Sequence, residues 1–193
     1  VRMARALPLT RASAVPAARA RLSGVASLLA AVAITLAWVG GAGASVADPP
    51  GAVLARYQGG AQVSDGVRTV TVSQSAELQP GQSIAVNGVG FDVDKGVYVG
   101  LCLVPPAGAV PSPCAGGEDR SGSSGASAWF SSNPPSYATN IAVPYAQGGS
   151  LSAQLTVSPE LGGGLDCRQV QCAIATRNDH TRSTDRSQDL YIP

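Results

Sequence analysis

The sequence predicts an all-β protein built as a sandwich of antiparallel sheets, and three observations favour this class. The chain holds 23 glycines and 14 prolines in 193 residues, which favours turns and short strands over long helices. Hydrophobic residues make up 45% of it and charged residues only 13%, against about 25% charged in typical domains. Short segments that alternate apolar and polar side chains recur between Gly- and Pro-rich turns, as sandwich strands do.

Eight short strands are predicted, separated by turns. In the first, residues 68–73, apolar and hydroxyl side chains alternate, as in a half-buried strand. Pro80 and Gly81 form the turn that follows it, because proline presets one backbone angle and glycine accepts a positive one. Pro105 ends the third strand, since proline cannot donate to a ladder. The predicted strands cover residues 68–73, 83–88, 97–104, 127–131, 140–143, 150–157, 171–177 and 189–192.

Residues 1–47 are predicted to be a secretory signal peptide. Five arginines and no acidic residue precede the largely apolar, uncharged run 25–39, and small residues lead from that run to Ala47. Cleavage is expected after Ala47, with Ala44 as the second choice. The alternative is an uncleaved membrane anchor, but this run of 15 residues, which includes Ser27 and Thr35, falls short of the ~20 apolar residues that span a bilayer. We therefore expect a protein that is secreted, or associated with the cell wall after secretion.

Residues 48–66 are predicted to be a flexible linker, and residues 67–193 the sandwich domain. The linker prediction rests on two turn-forming clusters, Asp48-Pro49-Pro50-Gly51 and Gly59-Gly60. No repeat of fixed period is visible. The chain is therefore expected to contain one domain.

The charge distribution argues against a nucleic-acid-binding polypeptide. Five of the 13 basic residues precede the predicted cleavage site and all 12 acidic residues follow it, so 146 residues with a net charge of −4 remain. An acidic domain with dispersed arginines has no electrostatic footprint for the phosphate backbone. We expect a monomer that binds no nucleic acid directly and has no stable membrane association after cleavage.

The four cysteines, Cys102, Cys114, Cys167 and Cys172, all follow the predicted signal peptide. An even number in a secreted chain favours disulfides, and four cysteines allow three pairings. The local pairing joins Cys102 to Cys114 and Cys167 to Cys172, and each bridge would hold one hairpin. A metal site is the alternative, but neither pair has Cys-x-x-Cys spacing and the chain has a single histidine.

The sequence favours a protein without enzymatic activity, cofactor or metal. His180 lies in a polar, turn-like run, where it is expected to be an exposed loop residue, and no Gly-x-Ser-x-Gly elbow accompanies it. Asp92 and Asp94 lie two residues apart in a Gly-bounded loop. Calcium takes about six to eight oxygen ligands, and the loop does not offer the rest, so a solvated turn is expected there.

Three segments, taken in order, carry a resemblance to a known family. They are Val99-Gly100-Leu101-Cys102, Gly149-Ser150-Leu151-Ser152-Ala153-Gln154-Leu155-Thr156-Val157, and Leu165-Asp166-Cys167 with Cys172 five residues further on. The chain from Thr69 to Ile192 resembles the neocarzinostatin family, small secreted apoproteins that carry enediyne antibiotic chromophores. The resemblance implies an immunoglobulin-like Greek-key β-sandwich of about seven strands with two local disulfides. Antimicrobial and DNA-damaging chemistry in that family would belong to the bound chromophore.

Two departures from the family pattern bear on the expected ligand site. In the family, a cleft floored by the first disulfide is walled by aromatics, with a Trp two positions after the first Cys, where this chain has Val104. The hairpin before the third Cys is aromatic-rich in the family, whereas residues 158–165 contain no aromatic residue. The segment between Cys114 and Ser150 is instead longer than expected and holds the aromatic residues Trp129, Phe130, Tyr137 and Tyr145.

We expect the ligand-binding residues to be Val104, Trp129, Phe130 and Tyr137, lining a cleft for a flat apolar small molecule. The alternative is that Trp129 and Phe130 fill the sandwich core, where large aromatics dominate burial. Two functions follow. The first is a secreted non-enzymatic protein that binds an apolar aromatic small molecule, a carrier of the enediyne-chromophore type by resemblance. The second is a ligand-free extracellular or cell-surface immunoglobulin-like interaction module.

Overall fold

Two antiparallel sheets enclose a common core in the computed structural model, which describes residues 2–3, 51–117 and 123–193. The five-stranded sheet has the spatial order β2 (Val53–Tyr57), β3 (Gly60–Ser64), β4 (Thr69–Val72), β6 (Ser83–Val89) and β9 (Leu151–Thr156). The four-stranded sheet has the order β13 (Leu190–Ile192), β12 (Cys172–Asn178), β7 (Val97–Leu103) and β8 (Ser127–Phe130). The predicted all-β sandwich is confirmed.

Four short strands and two 3-10 helices complete the described chain. Strand β1 (Arg2–Met3) pairs in parallel with β5 (Ala76–Leu78), and β10 (Glu160–Gly162) pairs with β11 (Leu165–Asp166) in an antiparallel ribbon. The 3-10 helices are Ser136–Ala138 and His180–Arg182. None of the described helices has the length and hydrophobicity of a transmembrane span. The predicted signal peptide lies outside the described residues, apart from β1.

Alternation along the strands builds the core between the sheets. In β6, Ile84 and Val86 are buried while their neighbours Ser83 and Asn87 are exposed, as expected of a strand with one wet face. In β7 and β12, by contrast, residues on both faces are buried. The largest fully buried side chains of the core include Phe130, Leu78, Ile84, Ile174, Leu190 and Ile192.

Both disulfides are local, as predicted. One joins Cys102 in β7 to Cys114 in the loop that follows the strand, and the other joins Cys167 to Cys172 across the loop between β11 and β12. The described residues contain no free cysteine. Each bridge therefore ties the four-stranded sheet to a neighbouring loop.

The linker prediction is wrong for residues 53–64, which form the β2–β3 hairpin. This hairpin adds two strands to the edge of the five-stranded sheet. Gly59 takes a φ of 87° in the hairpin turn, so the glycines mark a turn between strands. Ala61 and Val63 alternate into the core and are both 0% exposed, which explains why the segment is ordered into the sheet.

The strand predicted over residues 140–143 is also wrong. The segment is a turn in which only Val143 forms an isolated bridge, to Phe130. Its apolar residues Ile141 and Ala142 pack instead against Trp129. Apolar content here signals burial, and a short apolar run cannot by itself distinguish a strand from a packed turn.

Candidate functional site

The candidate site is the outer face of the four-stranded sheet, meaning the side that points away from the core between the two sheets. Strand β7 shows how the two sides are divided: Val99 and Leu101 belong to the core, whereas Tyr98 and Cys102 belong to separate clusters on the outer face. Successive side chains of a strand point to opposite sides. Gly100, between Val99 and Leu101, therefore also lies on the outer face.

The centre of the outer face is an apolar floor of small residues beside a disulfide. Ala173 and Ala175 of β12 cluster there with Tyr191 of β13 and with the Cys102–Cys114 bridge. Across the strands, Gly100 pairs with Ala175 and Cys102 with Ala173. The residues of this cluster are between 1% and 8% exposed.

Both faces of the two central strands are buried and mostly apolar, with Arg177 of β12 as a charged residue on the outer face. All seven residues of β12 are buried, and so are six of the seven in β7. An antiparallel sheet usually keeps one face in water and places polar residues on it. The outer face therefore has the composition of a surface that contacts apolar groups.

One end of the outer face is closed by an aromatic cluster. Tyr98 and Trp129, paired across β7 and β8, have ring centroids 5.5 Å apart, and Ala138 and Ala142 pack over them. We call residues 131–146, which supply these two alanines, the covering segment. It closes the face at the end opposite the disulfide.

A hydrogen bond to Asp179 fixes the orientation of the Trp129 indole. Its Nε1 donates a 3.0 Å hydrogen bond to Asp179 Oδ2, and the other carboxylate oxygen accepts from the backbone and hydroxyl of Thr181. Gly96 makes room for this pair, because a Cβ there would lie 1.8 Å from Asp179 Oδ2. Trp129 is 3% exposed, so its ring is a structural wall of the outer face.

His180, expected from the sequence to be an exposed loop residue, joins this aromatic cluster. Its Nδ1 lies 2.6 Å from the Tyr98 hydroxyl and its Nε2 lies 2.6 Å from the Tyr137 hydroxyl. Its ring also meets the Trp129 ring edge-on at 5.2 Å. The two tyrosines lie 82 and 43 residues away in the chain, so no local pattern could have predicted this arrangement.

The opposite edge of the outer face carries a buried carboxylate. Asp189 Oδ2 accepts 3.1 Å hydrogen bonds from Arg186 Nη1 and from the Tyr191 hydroxyl. Burial raises the pKa of Asp189 to about 6, although Arg186, the Tyr191 hydroxyl and Arg177 act in the opposite direction. Burial also raises the pKa of Tyr191. Arg177 itself lies 5.3 Å from the centre of the Tyr98 ring.

The structure places the four predicted ligand-binding residues in different surroundings. Val104 packs against the disulfide cluster of the outer face. Trp129 and Tyr137 belong to the aromatic end, where Tyr137 is 58% exposed. Phe130 points into the core and is 2% exposed. Trp129 and Phe130 are neighbours in β8, so their side chains necessarily lie on opposite sides of the sheet.

A depression of about 420 Å³ lies away from the outer face. Its walls come from β6, β9 and the covering segment, and include Gly88, Leu151, Val143 and Pro144. The polar side chains beside it are already paired, since Ser152 donates to Asn87 Oδ1 at 2.8 Å. The depression therefore lacks the convergent polar groups that usually orient a ligand.

The described residues contain no group of three or more His, Cys, Asp or Glu side chains that could hold a metal ion. In the loop where calcium was considered, Asp92 Oδ1 accepts from the backbone of Asp94, and Asp92 Oδ2 lies 3.7 Å from Lys95 Nζ. Lys95 also contacts Asp185 at 3.0 Å. A lysine ammonium thus provides the positive charge at this turn.

Fold and site together define a disulfide-bonded, immunoglobulin-like β-sandwich with an apolar outer face on its four-stranded sheet. The family model of the neocarzinostatin family matches residues 70–189, and the chain belongs to this family. Among solved structures, macromomycin matches with a TM-score of 0.37 and 19% identity, over 65% of this chain and 96% of its own. No curated protein matches. At the level of the family, membership supports a carrier of small-molecule chromophores.

Proposed function

We propose that this chain is exported and that the mature protein is a non-enzymatic carrier of a flat, apolar small molecule held against the outer face. One observation carries the proposal. A hydrophobic cluster lies on the side of the four-stranded sheet that faces away from the core. It consists of Ala173, Ala175, Tyr191 and the Cys102–Cys114 bridge. An apolar surface with a few polar groups at its edge is the usual composition of a ligand site.

Each predicted ligand-binding residue has a distinct role in this proposal. Val104 extends the floor beyond the disulfide, and Tyr137 borders the aromatic end through its contact with His180. Trp129 shapes the wall, because its ring is buried under the covering segment. Phe130 supports β8 from the core side. Direct contact with the ligand is therefore assigned to Val104 and Tyr137, the two of the four that are not buried.

We also propose that the protein is not an enzyme, and the surroundings of His180 support this part of the proposal. A general base needs a ring nitrogen that faces the reacting group. Both nitrogens of His180 instead face tyrosine hydroxyls at 2.6 Å. The residue is thereby assigned to holding the covering segment in place.

Native mass spectrometry of the protein recovered from the culture medium of a secreting host tests the proposal. The intact mass gives the cleavage site, expected after Ala47, and two disulfides appear as a loss of about four hydrogens. A non-covalent adduct of several hundred daltons that is lost on denaturation supports the carrier. A bare chain that also fails to take up added flat aromatic compounds contradicts it.

An interaction module is the second candidate, and the edge strand β2 favours it. Val53 is 70% exposed and Tyr57 is 47% exposed on this strand, which lies at the edge of the five-stranded sheet. Exposed edge strands can pair with another chain. A Val53→Lys variant that loses a protein partner while retaining every small-molecule adduct would favour the module.

A further inference from the structure

The five-stranded sheet also has a side that points away from the core, and we call it the polar face. Core residues such as Val63, Val70 and Val86 alternate along their strands with residues that point to this side. One row of the polar face crosses all five strands through successive cross-strand pairs. It consists of Ala55, Gln62, Thr71, Asn87 and Ser152.

Every residue of this row and of the two rows beside it is uncharged. Arg56 is the sole charged residue of the five strands, and it is turned away: it pairs with the core residue Ala61, and its guanidinium donates to Ser75 Oγ and to Pro193 O. Solvation explains a polar face, but solvated surfaces usually carry about 25–35% charged residues. The composition of the polar face therefore calls for a second explanation. The row on one side consists of Val53, Ser64, Thr69 and Val89, and the row on the other includes Tyr57, Gly60, Ala85 and Gln154.

Hydrogen bonds between neighbouring strands orient the amide side chains of the polar face. Ser152 Oγ donates to Asn87 Oδ1 at 2.8 Å, and Ser83 Oγ donates to Gln154 Oε1 at 3.1 Å. Both bonds use the amide oxygen, so each amide nitrogen keeps two hydrogens to donate. Asn87 and Gln154 are exposed, and these oriented donors are therefore accessible from solvent.

A tyrosine ring borders the polar face on its edge strand. Tyr57 pairs with Gly60, and a Cβ at Gly60 would lie 2.8 Å from Tyr57 Cε2, so the ring occupies the space of the missing side chain. The Tyr57 hydroxyl donates a 3.3 Å hydrogen bond to Val72 O, which holds the ring across the sheet. Tyr57 is 47% exposed. It thus presents an apolar ring surface beside the oriented amides.

We infer that the polar face is a docking surface for a neutral polysaccharide, a function that is separate from the proposed carrier function. A neutral sugar chain carries many hydroxyls and no charge. It exchanges hydrogen bonds with the amides and hydroxyls of this face without covering a charge, which would be costly. The apolar C–H faces of its rings lie on Tyr57 and on Val53, which is 70% exposed.

The same composition argues against other partners. Nucleic acids and acidic glycans need cationic side chains, and every residue of the three rows is uncharged. Protein interfaces draw most of their energy from Trp, Tyr and Arg anchors in pockets, whereas this face offers one tyrosine among small polar residues. Four steps between strands of about 4.8 Å give it a width of roughly 19 Å, enough for several sugar units.

Affinity electrophoresis of the secreted protein tests the inference. Native gels contain hydroxyethylcellulose, glucomannan or dextran as neutral polysaccharides, or polygalacturonate as an anionic one. We expect retardation in at least one neutral gel and none in the polygalacturonate gel. This comparison needs no variant. Retardation in no gel, or equal retardation by the neutral and the anionic polysaccharides, overturns the inference.

Two matched variants locate the surface. Gln62→Lys places a charge on the polar face and is expected to weaken polysaccharide binding at least about tenfold, because the sugar chain would cover the ammonium. Gln169→Lys makes the same change in the loop closed by the Cys167–Cys172 disulfide and is expected to bind like wild type. Both positions are exposed, so both variants are expected to fold, which their urea midpoints check.

Equal binding by the two variants overturns the inference. So does a dimer, detected by light scattering, that Gln62→Lys dissociates while no polysaccharide retards the wild type, since the face would then bind a second copy of the chain. Uptake of flat aromatic compounds is expected to be the same in Gln62→Lys and wild type. The two functions therefore fail or stand independently.

Discussion

The buried carboxylate of Asp189 predicts an unusual dependence of stability on pH. Burial raises its pKa from 3.8 to about 6 in the folded protein. The folded state therefore holds this proton more tightly than the unfolded state does. Between these two pKa values the free energy of unfolding falls as the pH rises, which is the reverse of the behaviour of a salt-bridged carboxylate.

The size of the effect follows from the two pKa values. A rise from 3.8 to about 6 corresponds to at most about 3 kcal/mol, which is lost as the pH rises from about 4 to about 6. Asp185 acts in a lower pH range. Hydrogen bonds from Ser187 and contact with Lys95 lower its pKa to about 2, so its stabilisation is present above about 4 and is lost as the pH falls toward 2.

Urea unfolding of the secreted protein from pH 4 to pH 7 measures this dependence. The difference in unfolding free energy between wild type and Asp189→Asn is expected to change by up to about 3 kcal/mol across that range. Groups that titrate in both proteins cancel in the difference. Asp185→Asn serves as the control and is expected to keep most of the wild-type slope between pH 4 and 6, because Asp185 is the smallest contributor to the raised pKa of Asp189. Parallel profiles for wild type and Asp189→Asn would refute the burial argument.

Three further changes test the site by urea denaturation of the secreted protein. Ser127→Ala removes an unpaired buried hydroxyl and is expected to raise the unfolding free energy by about 1 kcal/mol; a loss would mean that the hydroxyl is paired. Trp129→Phe leaves Asp179 Oδ2 without its indole donor and is expected to lower the free energy of unfolding by about 2–3 kcal/mol. An unchanged urea midpoint would contradict the assignment of Trp129 as a buried wall of the outer face. Replacing both Cys102 and Cys114 by Ala is expected to lower the free energy of unfolding by about 3 kcal/mol, because the loop that the disulfide closes is opened. No change would mean that other contacts hold this loop.

Alternation made most of the sandwich predictable from the sequence. Residues 83–88 and 150–157 show period-two patterns, and they appear as β6 and β9. The β2–β3 hairpin was missed because Gly59-Gly60 resembles a linker signal, although Ala61 and Val63 alternate just after it. A glycine pair has the same sequence signature in a hairpin turn and in a flexible segment, and only the packing of its neighbours separates the two.

The candidate site was predictable only in part. The same period-two rule that located the strands also places Trp129 and Phe130 on opposite sides of β8, so the sequence alone could have excluded a cleft lined by both. The buried outer face likewise has a sequence signal, since residues 97–104 and 171–177 are apolar or small at nearly every position. His180 had no such signal, because its partners Tyr98 and Tyr137 reach it through tertiary contacts.

The proposed carrier function predicts that the covering segment limits the size of the ligand. Ala138 and Ala142 pack over the row that contains Tyr98 and Trp129, which removes that row from the floor. The rows of Gly100 and Cys102 remain, about 7 Å apart along the strands and roughly 14 Å wide across them. A larger molecule would have to displace the covering segment and break the contact between Tyr137 and His180, so this contact links ligand size to the stability of the aromatic end.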